Sequence, residues 1–165
     1  DSSRVVAKPG ERGVGCQETF GHDLADDAGV LAELLRVVVK VASRMRAAGV
    51  LGRTITLNLR YSDFSTASRA LTLAAPTDVT DEFYAAARRL YAQLRTPRAR
   101  VRRVGVRVTG LVDRALVCLQ PTLDEPDYGW RDAERAADNV IRRFGPQAVR
   151  RAALTRPVPK RPEPA

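Results

Sequence analysis

Along the chain, apolar residues switch between the spacing of strands and the spacing of helices, and these switches order the elements. Residues 14–20 (VGCQETF) read as a short strand that leaves through Gly21. Asp26 or Asp27 then caps a long amphipathic helix, with Val30, Leu31, Leu34, Leu35, Val38, Val41, Ala42 and Met45 on its inward stripe. Gly49 stops it, and Lys40, Arg44 and Arg46 near its end suit the helix dipole. RTITLNLRY alternates strictly: Ile55, Leu57 and Leu59 face one side, and Thr54, Thr56, Asn58 and Arg60 the other. Ser62-Asp63 supplies a turn, and FSTASRALTL returns as the partner in an antiparallel hairpin. The stretch from Pro76 to Thr80 breaks the pattern and sets an N-cap. DEFYAAARRLYAQL follows as a second helix, with Phe83, Ala87, Leu90, Tyr91 and Leu94 inward and Pro97 at its end. In VRRVGVRVTGLV, Val104, Val106 and Val108 share one face of a fourth strand; Arg103, Gly105, Arg107 and Thr109 share the other.

The order strand, helix, strand, strand, helix, strand predicts an α+β fold of the split βαβ type. Its four-stranded antiparallel-type sheet carries two helices on one face, and a helical tail follows. The opposite sheet face is then open and holds the polar set.

Composition sharpens what that face could meet. The 165 residues hold Lys+Arg 28 against Asp+Glu 19, a net charge of +9, and 44% hydrophobic residues are enough for a core. The excess is almost all arginine, because Lys8, Lys40 and Lys160 are the only lysines. Arginine suits phosphate, since its planar fork pairs with two oxygens. Residues 95–107 (RTPRARVRRVGVR) carry six arginines and no acid. Such a run repels itself unless an anion lies against it, which favours a polyanionic partner over an ordinary solvated face. The strands of this face offer Val and Arg and no aromatic RNA-stacking motif, so duplex phosphate fits better than single-stranded bases.

Other function classes fall away. Cys16 and Cys118 stand far apart without a CxxC, which argues against a zinc finger and for free thiols of a reducing cytosol. His22 is the sole histidine, and no phosphate-binding glycine loop occurs, so an enzyme complete within these residues is not expected. No apolar stretch approaches the roughly 20 residues of a membrane span, so no membrane partner is expected. With its unpaired thiols, a cytoplasmic location is expected.

Three blocks carry a resemblance: VGCQETFGHDL, RMRAAGVLGRTITLNLRYSDFSTASRALTL and VRRVGVRVTGL. Together they resemble the C-terminal little-finger domain of Y-family DNA polymerases, nearest the DNA polymerase IV branch of high-GC, actinobacterial type. The resemblance implies an error-prone translesion polymerase as parent, whose palm binds two magnesium ions. No residue here resembles the palm's metal-binding strands, so this piece is expected to be catalytically inert and to hold no cofactor. It implies a sheet laid in the major groove of template–primer duplex DNA. The family's contact positions fall on Thr19, Thr54, Thr56, Ser68, Arg69, Arg102, Arg103 and Arg107, and Gly105 of the open face lets a backbone approach closely. Strict alternation turns Arg102 inward unless the strand bulges at its start.

The same resemblance divides the chain into a tether at 1–12, the little finger at 13–112, a linker at 113–129, a helical tail at 130–154 and a disordered proline-rich end at 155–165. In the linker, Gln120 and Leu123 match a degenerate sliding-clamp-binding peptide, with Pro121 and Asp124 as departures. Trp130 is expected to pack against the tail helix. Two other readings stay open: a catalytically inactive polymerase-like adaptor in a mutagenesis complex, and an unrelated ferredoxin-like RNA-binding module.

Overall fold

The computed structural model describes residues 13–96, 99–117 and 129–155 (for 16–23, the backbone). In chain order the elements are β1 (Val14–Leu24), α1 (Asp27–Ala48), β2 (Val50–Tyr61), β3 (Thr66–Thr77), α2 (Thr80–Leu94), β4 (Val101–Thr109), β5 (Val112–Asp113) and α3 (Trp130–Phe144). Short 3-10 turns cover Arg114–Leu116 and Ala152–Leu154. The sheet runs β1-β4-β2-β3 with every pair antiparallel, and β5 adds to the start of β2. β1 and β2 are therefore parallel with β4 between them, and β3 and β4 are parallel with β2 between them. These are two split crossovers, as the element order predicts.

Both helices lie on one face. The side chain of Asp26 accepts from the Gly29 N–H at 2.8 Å and caps α1, while Gly49 ends it in the left-handed region at φ 66. Val30, Leu34, Val38, Val41 and Met45 bury the α1 stripe, and Phe83, Ala87, Leu90 and Tyr91 that of α2. They meet Ile55, Leu57 and Leu59 of β2 and Val104, Val106 and Val108 of β4, each at 2% exposure or less. Each of these side chains removed from water stabilises the fold by roughly 1.5–3 kcal/mol. Gly52 is required by this packing, because a Cβ there would sit 2.2 Å from Val108 Cγ1.

Several boundaries differ from the sequence reading. β1 continues through His22 to Leu24 rather than leaving at Gly21. β3 passes through Pro76, which an edge strand tolerates because its outer N–H needs no partner. Residues 112–116, expected at the edge of a linker, pair with β2 and form a turn whose Arg114 reaches back to Asp78. The tether at 1–12, the clamp-like segment with Gln120 and Leu123, and the proline-rich residues 156–165 lie outside the described residues.

The larger difference is how α3 docks. Its inward face is ionic rather than apolar. Trp130 is 69% exposed, which corrects the expectation that it packs the tail, and Phe144 is equally exposed. Instead Glu134, 7% exposed, accepts from Arg46 Nη1 at 2.8 Å and from Arg151, and its carboxylate also accepts the Thr80 N–H at 3.1–3.2 Å. The α2 N-cap is Val79, which has no capping side chain, so Glu134 satisfies an amide at the start of α2 from a helix 54 residues downstream. Arg46 Nε also donates to Asp138 at 2.5 Å. Asp78, 1% exposed, lies 2.6 Å from Arg114 and 3.3 Å from Arg131, the latter without hydrogen-bond alignment.

Removing one partner from a buried ion pair leaves the others charged and dry, so Glu134→Ala should cost about 3–5 kcal/mol in urea unfolding. It should also expose α3 to limited proteolysis, whereas Glu134→Gln, which keeps an acceptor for the Thr80 amide, should cost less. A pH effect follows from Tyr91, whose hydroxyl donates to Asp27 at 2.9 Å. Burial, and then the Asp27 carboxylate, raise its pKa well above the ordinary 10.0. The folded state then keeps a proton that the unfolded state releases, so this stability is intact below about pH 10 and is lost as pH rises further. Urea midpoints at rising pH should fall in the wild type and less so in Tyr91→Phe.

Candidate nucleic-acid interface

In an antiparallel sheet, residues directly opposite one another share a face. The register therefore lays out the open face in rows. Thr109, Thr54 and Thr72 form one row; Arg107, Thr56 and Ala70 the next; then Gly105, Asn58 and Ser68; and last Arg103, Arg60 and Thr66. On the far side the backbone of Gly15 pairs with Arg107, Gln17 with Gly105 and Thr19 with Arg103. Thr54, Thr56, Ser68, Arg103, Gly105 and Arg107 thus belong to a single surface, with the backbone of Thr19 at its edge.

Two other residues sit differently. Arg69 pairs with Leu57, a core position, so it lies on the helix side of the sheet, where its Nη1 donates to Gln93 Oε1 of α2 at 2.9 Å. Arg102 is exposed at a bulge: Arg60 pairs with Arg103 while the next residue, Tyr61, pairs with Val101, so β4 carries an extra residue there. Its guanidinium lies 5.1 Å from the Phe64 ring centroid, beside Arg60 at 5.2 Å.

Arg60 is the residue whose weight the sequence underestimates. Alternation puts it on the open face, but only the β2–β4 register reveals that it stands directly opposite Arg103. Like charges in that relation destabilise a sheet, typically by a few tenths of a kcal/mol to about 1. Among the described residues, Arg60, Arg103 and Arg107 take part in no ion pair, while Arg46, Arg114, Arg131 and Arg151 are paired with carboxylates on the helix side. The hydroxyls of Thr54 and Thr72 lie 3.0 Å apart and hold each other in place across the strands. This surface presents forked cations and neutral donors, the mixture that binds phosphate oxygens without reading bases.

The geometry defines a class: an α+β domain with a two-helix back and a cationic sheet front. The chain belongs to the impB/mucB/samB family C-terminal domain, whose model matches residues 11–123. A DNA polymerase IV from Desulfatibacillum aliphaticivorans is 31% identical over 160 residues, which is 95% of this chain and 40% of that protein. A DNA polymerase IV from Streptomyces coelicolor is 39% identical over 113 residues, 68% of this chain and 23% of that protein. This chain therefore spans well under half the length of these relatives. A solved complex of the β-clamp processivity factor with the little-finger domain of PolIV shares the fold, with TM-score 0.52 and 22% identity over 68% of this chain and 99% of that one.

Because the open-face side chains support no core, Arg107→Ala and Thr56→Ala should each shift stability by less than about 0.5 kcal/mol. Leu57→Ala, from the other face of β2, should cost about 2–5 kcal/mol. Chemical denaturation of the three variants checks this separation.

Proposed function

We propose that these residues form the duplex-gripping little-finger domain of an error-prone translesion DNA polymerase of the DNA polymerase IV type. The observation that supports this most is the set of arginines, Arg60 and Arg103 in one row and Arg107 two rows away, that take part in no ion pair among the described residues, on a sheet face otherwise made of Thr, Asn, Ser, Ala and Gly. Laid along a duplex groove, the arginines would bridge phosphates and the hydroxyls would donate to neighbouring oxygens. Gly105, which pairs with Asn58 and Gln17 in register, is itself buried, so it adds no side chain to this face and the contacts would come from the residues around it. The contacts would be sequence-independent, which suits a grip that must slide with the growing primer.

Nucleotidyl transfer would reside elsewhere in the protein. The magnesium ions that the resemblance puts in a palm would belong there as well. A second, weaker partner would be the sliding clamp, supported by the clamp complex of a little-finger neighbour, with Gln120 and Leu123 as the sequence's candidates for the contact. Among the described residues no helix is long and apolar enough to cross a membrane. A cytoplasmic site of action belongs to the same proposal.

Fluorescence anisotropy with a labelled blunt duplex tests the grip. With four or five phosphates neutralised, the log–log salt slope should be about −4. Arg103→Ala and Arg107→Ala should each weaken binding and flatten the slope by about one. Arg69→Ala, from the helix side, should do so far less. No binding at low salt, or binding indifferent to salt, would sink the proposal.

A further inference from the structure

We infer that Phe64, at the tip of the β2–β3 hairpin, is a stacking platform for an unpaired nucleobase beside the duplex held by the sheet, an inference that rests on the duplex-binding reading above. The turn is well formed: Tyr61 N donates to Ser65 O and Phe64 N to Tyr61 O, both at 3.0 Å, and Asp63 Oδ1 accepts from Ser65 N at 2.9 Å and Ser65 Oγ at 2.5 Å. Such a loop needs a left-handed residue in its last place, where Gly or Asn fits without strain. Phe64 occupies that place at φ 65, and it is the one non-glycine residue with positive φ among those described. The residue remains 59% exposed. Neither the turn nor the core calls for an aromatic side chain here.

The surroundings specify what would meet it. The tip stands at the Arg60–Arg103 end of the open face, and Ser62 N donates to Arg100 O at 2.9 Å, which brings the arginine-rich approach to β4 alongside. Arg60 and Arg102 lie within cation–π distance of the ring. Asp63 is the acid of the tip; its hydrogen bonds from Ser65 hold its pKa below the ordinary range, and its Oδ1 is committed to the turn. An apolar ring beside guanidinium groups suits a nucleotide, with the base against the ring and its phosphate on arginine. The central strands carry no aromatic on their open side, so stacking is available at the tip rather than on the sheet.

The test compares a blunt duplex with the same duplex carrying a single-stranded overhang of about five nucleotides, titrated with the 165-residue chain at matched salt. The wild type should bind the overhang duplex about tenfold more tightly, the size of one good stacking contact. Phe64→Ala should erase that preference and leave blunt-duplex affinity intact. Phe64→Asn, which suits the left-handed turn, should do the same without lowering the melting temperature, and Phe64→Trp should keep the preference. Equal wild-type affinity for both duplexes, or a preference that survives Phe64→Ala, overturns the stacking role while leaving the duplex grip standing. A wild type that binds neither duplex overturns both.

Discussion

The register between β2 and β4 is the constraint on which both sides of the molecule depend. Setting Ile55 against Val108, Leu57 against Val106 and Leu59 against Val104 builds the centre of the core. The same register, read on alternate residues, sets Thr56 against Arg107, Asn58 against Gly105 and Arg60 against Arg103. A slip of one residue would bury the arginines and expose the valines, so the core fixes the spacing of the charges with no contribution from the charges themselves. The Arg60–Arg103 opposition is a small cost carried by a strongly driven core, and an anion on the open face would turn it into a gain.

The back of the domain handles charge in the opposite way. Asp78, Glu134 and Asp138 collect Arg46, Arg114, Arg131 and Arg151 into a partly buried network that joins α1, the start of α2, the turn after β5 and α3. Partnering the acids with helix-side arginines polarises a chain whose net charge is +9. It also explains how α3 docks with Trp130 and Phe144 turned outward. Burying such pairs is not inherently stabilising against an apolar interface; their value lies in geometry, because an ionic face docks in one orientation. The amide of Thr80 enforces this, since Glu134 accepts it only when α3 lies across the start of α2.

Most of the two-layer fold was legible because its signals are local. Period-two runs in β2 and β4, the Asp26 cap, the Gly49 stop and the stripes of α1 and α2 are each set by residues close in sequence. What stayed hidden depends on distance. Helix α3 carries Arg131, Glu134 and Asp138 on its inward side, and helical periodicity reads that side as solvent-facing. Only partners distant in sequence make it an interface: Arg46, 88 and 92 residues from Glu134 and Asp138, and Thr80, 54 residues from Glu134. The open face was legible from alternation, and the bulge that turns Arg102 outward was allowed for at the strand's start, whereas the helix-side placement of Arg69 follows only from the hairpin register. Phe64 gave no signal beyond being aromatic, because its backbone strain arises only once the turn closes.

The two charged regions should answer differently to ionic strength, and that difference is built into their burial. Exposed charges are screened over about 8–10 Å at moderate salt, while buried pairs are screened much less. The side chains of Arg46 and Glu134 are 7% and 8% exposed, whereas Arg107 stands open on the sheet. Salt would therefore weaken an anion's hold on the front while α3 stays fixed on the back. If the front grips and releases a polyanion as proposed, that separation serves it: a reversible, screened surface on a scaffold whose own ion pairs are kept out of water.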